Sequence, residues 1–385
     1  MKAVGEAANV GALLQALVRI PSISALSNRP LIDFAAGTLR GLGWHVCELP
    51  YRDASDTEKV NLLAAPPWQL ADSFHVELAF VCHTDTVPYD PAWPHAVQPI
   101  EQNGVIAGCG SCDVKGFLAC LLTMAGALTQ TECASSIAIA LTADEEIGCI
   151  GATHLLAAGR LRARNIVVGE PTTLHPARAG KGYCLAEVHI TGRAAHSAHP
   201  ADGVSAIFAA ARMIAALERY ADSLRQNASG TWAIFNPPCT TVNVGTIQGG
   251  TAKNVIPAEC SFLLEWRPVP SEENTVLEKA RAIAAEIQHD MPGLGIAITL
   301  LRQQAGFATA ADAPLVRRWQ ALSSCSPVAV SFGTEAPLMA TLGANVIVAG
   351  PGDMHTAHSS RECVPVKELE ECVRLLRELV GTPGL

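Results

Sequence analysis

The sequence is short of charge, of aromatic residues and of long apolar runs, and each shortage excludes a class of protein. Charged residues make up 16% of the 385 residues and aromatic residues 5%, against 49% hydrophobic residues. This balance is typical of a compact enzyme rather than of a disordered chain. No run of Lys and Arg occurs and the formal net charge is −9, so neither nucleic acid nor an anionic membrane is expected as a partner. No stretch of about 18 uninterrupted apolar residues is present, so we expect no membrane span.

Signals for export and for a disulfide framework are also missing. The first six residues lack the basic region that opens a secretory signal, and no apolar core or cleavage site follows, so we expect a cytoplasmic protein. The thirteen cysteines are odd in number and irregularly spaced, which favours free thiols in a reducing compartment. Cys109 and Cys112 have the Cys-x-x-Cys spacing, but no second pair completes a zinc knuckle. A redox pair and small buried thiols both remain open for these two residues.

Two common catalytic motifs are absent as well. The chain has no Gly-x-x-x-x-Gly-Lys-Ser/Thr loop, which disfavours phosphoryl transfer by a P-loop enzyme. It has no Gly-x-Ser-x-Gly elbow, which disfavours a serine hydrolase. The chemistry must therefore come from other residues.

What the sequence does contain is a regular alternation of apolar runs and helical periodicities. Short apolar runs predict buried strands at 79–83, 137–142, 166–168 and 344–348. Helical spacing of apolar residues predicts helices at 9–19, 30–42, 114–129, from 151 onward, at 313–323 and at 367–380. Strands that alternate with helices predict an α/β fold with a mostly parallel sheet that helices cover on both faces.

The order of the elements changes near residue 181. From there to about residue 301 the pattern runs strand, helix, strand, strand, helix, strand, which resembles a ferredoxin-like α+β unit with an antiparallel sheet. The first pattern then resumes. We therefore predict a catalytic domain of residues 1–180 and 303–385, into which a second domain of residues 181–302 is inserted.

Polar side chains follow the ends of the predicted parallel strands, which is where sites form in such sheets. They are His83, Asp85, Asp113, Glu145, Glu146, Glu170 and one or both of His355 and His358. Each of them taken singly is best read as an ordinary loop residue, but several at one edge of one sheet indicate a shared site. Histidine and carboxylate ligands suit two ions of zinc, cobalt or manganese.

The adjacent acids Glu145 and Glu146 suggest a division of labour. Neighbouring residues do not normally occupy the same ligand position, so one would bind metal while the other takes a proton from the attacking water. This arrangement predicts metal-assisted hydrolysis of an amide.

Several stretches resemble a known family. They are His83-Thr84-Asp85-Thr86-Val87-Pro88, Asp113-Val114-Lys115-Gly116, Asp144-Glu145-Glu146-Ile147-Gly148, Gly169-Glu170-Pro171-Thr172, Gly192-Arg193-Ala194-Ala195-His196-Ser197, 249–257 and Ala357-His358. Over nearly its whole length the chain resembles the co-catalytic metallopeptidase family, which includes acetylornithine deacetylase, succinyl-diaminopimelate desuccinylase and carboxypeptidase G.

The resemblance implies a role for each residue at the strand ends. His83 and Glu170 would hold one metal ion, Glu146 and His358 the other, and Asp113 would bridge them. Asp85 would orient His83, and Glu145 would be the general base. His355 does not fall on a ligand position of the family, so we expect it to support the site or the local structure. Zinc is the expected metal, with cobalt as the alternative.

The resemblance also assigns the inserted domain, as a lid and dimerisation domain. His196 would come from the neighbouring subunit of a homodimer to polarise the scissile carbonyl. Asn254 and Arg267 would bind the substrate carboxylate, although a salt bridge of Arg267 with Glu265 or Glu259 remains open. Glu335, in a stretch similar to that of acetylornithine deacetylases, would meet a cationic substrate amine. Without the resemblance, His196 would pass for a surface residue.

The function implied is removal of the acetyl group from N2-acetyl-L-ornithine, which gives L-ornithine and acetate for arginine biosynthesis. The alternatives are deacylation of N-acetylcitrulline, of another N-acyl amino acid or of succinyl-diaminopimelate, cleavage of dipeptides, and a metal-binding regulator without activity. One departure from the family affects this choice: Cys109 stands where the family usually has arginine, which puts the packing of that loop or its contact with the lid in doubt.

Overall fold

The computed structural model describes residues 9–70, 74–228 and 230–383; the first six residues, on which the export prediction rests, lie outside this part of the chain. The helices in this part are α1 Val10–Val18, α2 Arg29–Gly41, α3 Lys115–Ala127, α4 Ile150–Ala157, α5 Ala206–Gln226, α6 Thr275–Asp290, α7 Pro314–Ser323, α8 Ala336–Ala340 and α9 Val366–Val380. The strands are β1 His45–Arg52, β2 Glu58–Ala65, β3 Phe74–His83, β4 Ile100–Gln102, β5 Val105–Ala107, β6 Ile137–Thr142, β7 Leu161–Val168, β8 Ala177–Gly180, β9 Tyr183–Thr191, β10 Ala195–His196, β11 Thr241–Gly249, β12 Val255–Ile256, β13 Glu259–Arg267, β14 Gly295–Gln304, β15 Phe307–Ala308, β16 Val328–Val330, β17 Asn345–Val348 and β18 Cys363–Pro365.

The chain divides into two compact units. The first unit comprises Met1–Arg178, Thr309–Val328 and Thr334–Leu385, and the second unit comprises Ala179–Ala308 and Ala329–Gly333. Each unit has its own cluster of buried apolar side chains.

The first unit is built on a sheet with the strand order β1-β2-β6-β3-β7-β17. The four strands β6, β3, β7 and β17 are parallel to one another, as the alternation of strands and helices predicts. The strands β1 and β2 are antiparallel at one edge, because two strands joined by a short turn pair as a hairpin. The last six residues of β3 are all buried, and all of them except the terminal His83 are apolar. This is expected for a central strand that is covered on both faces.

Helices α1, α3 and α9 pack together over this sheet. Helix α3 is buried on nearly all sides, whereas α9 has an apolar stripe at helical spacing, with Leu369, Cys372, Leu376 and Leu379 buried. The loop that leads into α3, and the segment that leads through β18 into α9, are therefore each joined to a buried helix.

The second unit contains the antiparallel sheet β11-β13-β9-β14. Side chains of β9 and β13 alternate between buried and more exposed positions, since only one face is covered, by α5 and α6. The order of the main elements is the predicted ferredoxin-like one, with the two-residue strands β10 and β12 added. The fold class is thus confirmed.

Two further properties bear on the sequence predictions. All thirteen cysteines lie in the described part of the chain, and they are thiols rather than disulfides. Within the same residues, no helix has both the length and the hydropathy that are required to cross a bilayer.

Candidate metal centre

His83 lies at the end of the central strand β3, and its ring is held on both sides. The Nδ1 atom lies 3.0 Å from the carbonyl oxygen of Asp85, and Nε2 lies 3.1 Å from Oδ1 of Asp113. Burial on its own would lower the pKa of His83, but the carboxylates of Asp113 and Asp85 raise it well above its ordinary value. The strand end therefore presents Nε2 to a strongly acidic site.

Asp113 stands between the two histidines that the resemblance names. Its Oδ1 faces Nε2 of His83, and its Oδ2 lies 3.1 Å from Nε2 of His358. Burial acts to raise the pKa of Asp113, yet the two imidazoles hold it well below its usual range. One carboxylate thus presents one oxygen to each histidine, which suits a ligand shared by two ions.

His358 completes the contact with the acid that follows β6. Its Nε2 lies 3.2 Å from Oε1 of Glu146, and the Asp113 and Glu146 carboxylates raise the pKa of His358 to about 10. The residues His358 and Glu146 are 212 positions apart, so this contact depends on the return of the chain to the first unit.

Glu170 follows β7 and is 2% exposed. Burial, followed by the negative charge of Asp113, raises the pKa of Glu170 well above its ordinary value. A carboxyl group in this position gains from a positive charge placed beside it.

These residues fit a divalent metal. Ligand atoms of His83, Asp113 and Glu146 all lie within 4.8 Å of one another, and His358 contacts both acids. The raised pKa values of the two histidines show that the acids attract positive charge, which a metal ion supplies without a proton. Imidazole nitrogens with carboxylate oxygens suit zinc, cobalt or manganese.

Asp85 differs from its predicted role in one respect. Its carboxylate Oδ1 is 3.6 Å from Nδ1 of His83, too far for a hydrogen bond, and the backbone carbonyl makes that contact instead. The carboxylate accepts hydrogen bonds from Ser24 Oγ and from the N–H groups of Glu145 and Glu146. Asp85 therefore holds His83 with its backbone and the two adjacent glutamates with its side chain.

The backbone N–H of Glu145 donates to the Asp85 carboxylate, and burial raises the pKa of Glu145 to about 8. Its Oε1 accepts a hydrogen bond from Cys149 Sγ at 3.4 Å. A carboxyl group with a pKa near neutrality is suited to accept and return a proton at physiological pH.

A buried ion pair holds Asp144, the residue before Glu145, and no motif in the sequence indicates it. Nζ of Lys59 lies 2.7 Å from Oδ1 of Asp144, and both side chains are at most 1% exposed. The hydroxyl of Tyr51 donates to the other oxygen of Asp144 at 2.9 Å. Because these contacts fix the residue before Glu145, they help to fix the position of Glu145.

Glu335 is a buried acid near His83 and Glu145 of the candidate metal centre. It is 0% exposed and immediately precedes α8, and within the described residues neither carboxylate oxygen has a hydrogen-bond partner. Burial raises the pKa of Glu335 to about 7, and the nearby Thr142 and His83 offset only part of this effect. Glu335 is thus as buried as His83 and Glu170, and its contact with a substrate amine stays a prediction.

Three predicted residues belong to the second unit. His196, on β10, and Asn254 are both exposed, and the N–H of Ser197 donates to the carbonyl oxygen of Asn254. The structure thus brings His196 and Asn254 together on one surface. Arg267 is ion-paired with Glu265 at 2.7 Å and stacks over the ring of Tyr183, which is the salt bridge that the sequence left open.

His355 lies outside the cluster of ligands. Its side chain is 93% exposed and lies 2.7 Å from Oδ1 of Asp353, so it supports a local turn. Cys109 is buried, and its N–H donates to the carbonyl oxygen of Ala96; this thiol packs the loop where the family usually has arginine.

The chain is similar to known proteins over nearly its whole length. The model of "Peptidase family M20/M25/M40" matches residues 79–382. An acetylornithine deacetylase of Myxococcus xanthus is 44% identical over 372 residues, with 96% of each chain covered. A tripeptidase of Staphylococcus aureus has a similar fold, with a TM-score of 0.77, 22% identity and 98% of each chain covered. A dinuclear metal-binding peptidase of Bacillus subtilis gives a TM-score of 0.70 at 14% identity over 97% of each chain.

Proposed function

Because the chain belongs to peptidase family M20/M25/M40, we propose that it is a metal-dependent hydrolase that removes the acetyl group from N2-acetyl-L-ornithine. The observation that carries the proposal is the 44% identity, over 96% of both chains, to a protein named acetylornithine deacetylase. The products would be L-ornithine and acetate, and the enzyme would serve arginine biosynthesis. The thirteen thiols suit the cytoplasm.

The residues at the strand ends would hold two divalent ions, with zinc favoured and cobalt as the alternative. His83 and Glu170 would bind one ion, Glu146 and His358 the other, and Asp113 both. The ions, when bound, supply Lewis-acid polarisation of the scissile carbonyl and make the attacking water more acidic. The contacts of Asp113 with both histidines support this division.

The proton transfers fall to Glu145. Its carboxylate accepts the proton of the attacking water, and the carboxylic acid then gives a proton to the departing amine. Asp85 binds the backbone N–H groups of both acids, but their side chains have different partners, Cys149 for Glu145 and His358 for Glu146. This difference supports one acid for proton transfer and the other for metal binding.

The substrate is tested by a panel of acyl amino acids on metal-loaded protein. We expect kcat/KM to be highest for N2-acetyl-L-ornithine, and at least about tenfold lower for N-acetylcitrulline, which has a neutral tail of similar length, because a lost charge contact costs about 1.4 kcal/mol or more. Succinyl-diaminopimelate and a dipeptide complete the panel. If succinyl-diaminopimelate or the dipeptide gave a higher kcat/KM than N2-acetyl-L-ornithine, that compound would replace the proposed substrate. The protein would still be a hydrolase. Two bound ions with no hydrolysis of any compound would support the catalytically silent regulator instead.

The second unit would be the lid and the dimerisation domain. It exposes large apolar side chains on α5 and on the edge strand β11, among them Phe208 at 70% and Ile247 at 52%, and such surface favours self-association. His196 and Asn254 share an exposed surface of the same unit. We assign His196 to the carbonyl of a substrate bound by the neighbouring subunit, and Asn254 and Arg267 to the substrate carboxylate.

Shared sites predict complementation between inactive subunits. Mixing His196→Ala with Glu145→Ala protein should restore activity, up to about one quarter of wild type when subunits exchange at random, since half of the dimers are mixed and each mixed dimer has one intact site. Each variant mixed with itself is the control. Verified mixed dimers without activity would contradict the assignment of His196 to the neighbouring subunit.

A further inference from the structure

Glu362 is a buried acid that the proposed chemistry does not use. It follows His358 by four residues, directly precedes β18 and is 2% exposed. Its Oε2 accepts a hydrogen bond from the N–H of Gly110 at 3.0 Å, and its Oε1 accepts two more, from Cys112 and from Asp113, both at 3.1 Å. One carboxylate thus binds three backbone groups of the loop that ends in Asp113.

Glu362 binds most of the backbone N–H groups of this loop. Residues 108–113 lie between β5 and α3 and belong to no helix or strand. Of their six N–H groups, those of Cys109 and Ser111 donate to the carbonyl oxygens of Ala96 and Gly108, and the other four donate to Glu362. Gly110 has φ of +77°, and a Cβ added to it would lie 2.8 Å from Cγ2 of Thr86, so the chain passes through a narrow space. The backbone carbonyl of Glu362 also accepts the N–H of Gly108 at 3.2 Å. Glu362 therefore links this loop to the segment of His358 through four hydrogen bonds, in addition to the pairing of β5 with β18 and the contacts of the Cys112 thiol with Asp353 and Thr356.

The tie has a direct consequence for the candidate metal ligands. Asp113 and His358 are 245 residues apart in the sequence, yet Oδ2 of the one lies 3.1 Å from Nε2 of the other. The N–H of Asp113 is bound by Glu362, which lies four residues after His358. The same short segment therefore carries one ligand and anchors the backbone of the other.

We propose that Glu362 is a positioning residue that holds Asp113 at the correct distance from His358 and thereby sets the affinity of the site for metal; the inference rests on the proposed metal-dependent function. Groups that orient metal ligands from behind typically change metal affinity or activity by about 10–100-fold when they are replaced. A carboxylate suits this position because it only accepts hydrogen bonds, and all three partners are donors.

The test compares Zn²⁺ affinity in two variants and one control. Glu362→Gln keeps the shape but turns an NH2 group toward an N–H donor, and Glu362→Ala removes all three hydrogen bonds. The control is Thr309→Val. The buried Thr309 hydroxyl also holds a backbone segment, because it donates to the carbonyl oxygen of Val346 on β17 and accepts from the N–H of Val346. This substitution should lower stability without a change at the metal ligands.

Zn²⁺ is titrated into metal-free protein in competition with a chromophoric chelator, and Co²⁺-loaded protein is examined by its visible absorption spectrum. We expect the dissociation constant for Zn²⁺ to rise about 10–100-fold in both Glu362 variants, with an altered Co²⁺ spectrum. Thr309→Val should keep the wild-type constant and spectrum. At saturating Zn²⁺, the KM of the Glu362→Gln variant should stay near the wild-type value, since the substitution alters the ligands rather than substrate contacts.

Wild-type affinity and an unchanged Co²⁺ spectrum in folded Glu362→Gln would overturn the proposal, and this variant decides if Glu362→Ala fails to fold. An equal loss of affinity in Thr309→Val would also overturn it, because the effect would then be one of general stability. Wild-type protein that binds Zn²⁺ but hydrolyses no acyl amino acid would refute the proposed function alone, and the difference in affinity would still test Glu362.

Discussion

Replacing Glu145 by glutamine should lower kcat by about 10²–10⁴-fold, the usual contribution of a general acid–base residue, while the metal content stays that of the wild type. The physical reason is that glutamine has the same shape but cannot accept a proton. Burial raises the pKa of Glu145 to about 8, so this group exchanges protons near neutral pH, and the neighbouring Glu146 contacts His358 instead.

Glu146→Gln is the matched control, because the two acids are adjacent and both backbone N–H groups are bound by Asp85. It should lose metal as well as activity, whereas Glu145→Gln should lose activity alone. Metal content is measured on purified protein by atomic absorption, and KM of the Glu145 variant is measured to show that substrate still binds. Glu145→Gln protein that retains more than about a tenth of wild-type kcat would contradict its role as the base, since a base of this kind contributes at least about 10²-fold.

Much of this site could be predicted from the sequence because it follows from strand ends. An apolar run that stops at His83, and another that stops before Glu170, mark the edge of a parallel sheet where side chains from different strands meet. The strand predicted at 79–83 is shorter than β3, which begins at Phe74, because His75 and Glu77 interrupt the apolar pattern over the first residues of β3. The backbone of His75 pairs with Arg162 of β7, a contact that the side-chain pattern does not report.

The residues that the sequence missed act through contacts between distant parts of the chain. Lys59 pairs with Asp144 across 85 residues, and Glu362 binds the N–H of Asp113 across 249. A lone Lys or Glu at such a position has no periodicity or motif that distinguishes it from a solvated residue. Likewise, only the packing around α8 shows that Glu335 is enclosed, and only the backbone geometry shows that Asp85 holds His83 by its carbonyl oxygen.

Removing the metal ions should have an effect of similar size to the loss of Glu145. A Lewis acid at the scissile carbonyl is worth several kcal/mol, and about 4 kcal/mol corresponds to about 10³-fold in rate. Asp113→Ala should reproduce this loss permanently, because Asp113 contacts both histidines and no other residue takes its place. Asp353→Ala is the control, and it should retain metal and activity, since among the described residues the Asp353 carboxylate hydrogen-bonds only to His355.

The most direct test of the whole account is a metal titration of wild-type protein that has been stripped with a chelator. Zn²⁺ is added in fractions of an equivalent while acetate release from N2-acetyl-L-ornithine is measured. The account predicts that stripped protein releases acetate at least about 10³-fold more slowly, that Zn²⁺ restores the rate, and that binding ends at two ions per chain. Full activity in the stripped protein would contradict the account. It would also be contradicted if the Asp113→Ala variant, after addition of Zn²⁺, were as active as the wild type.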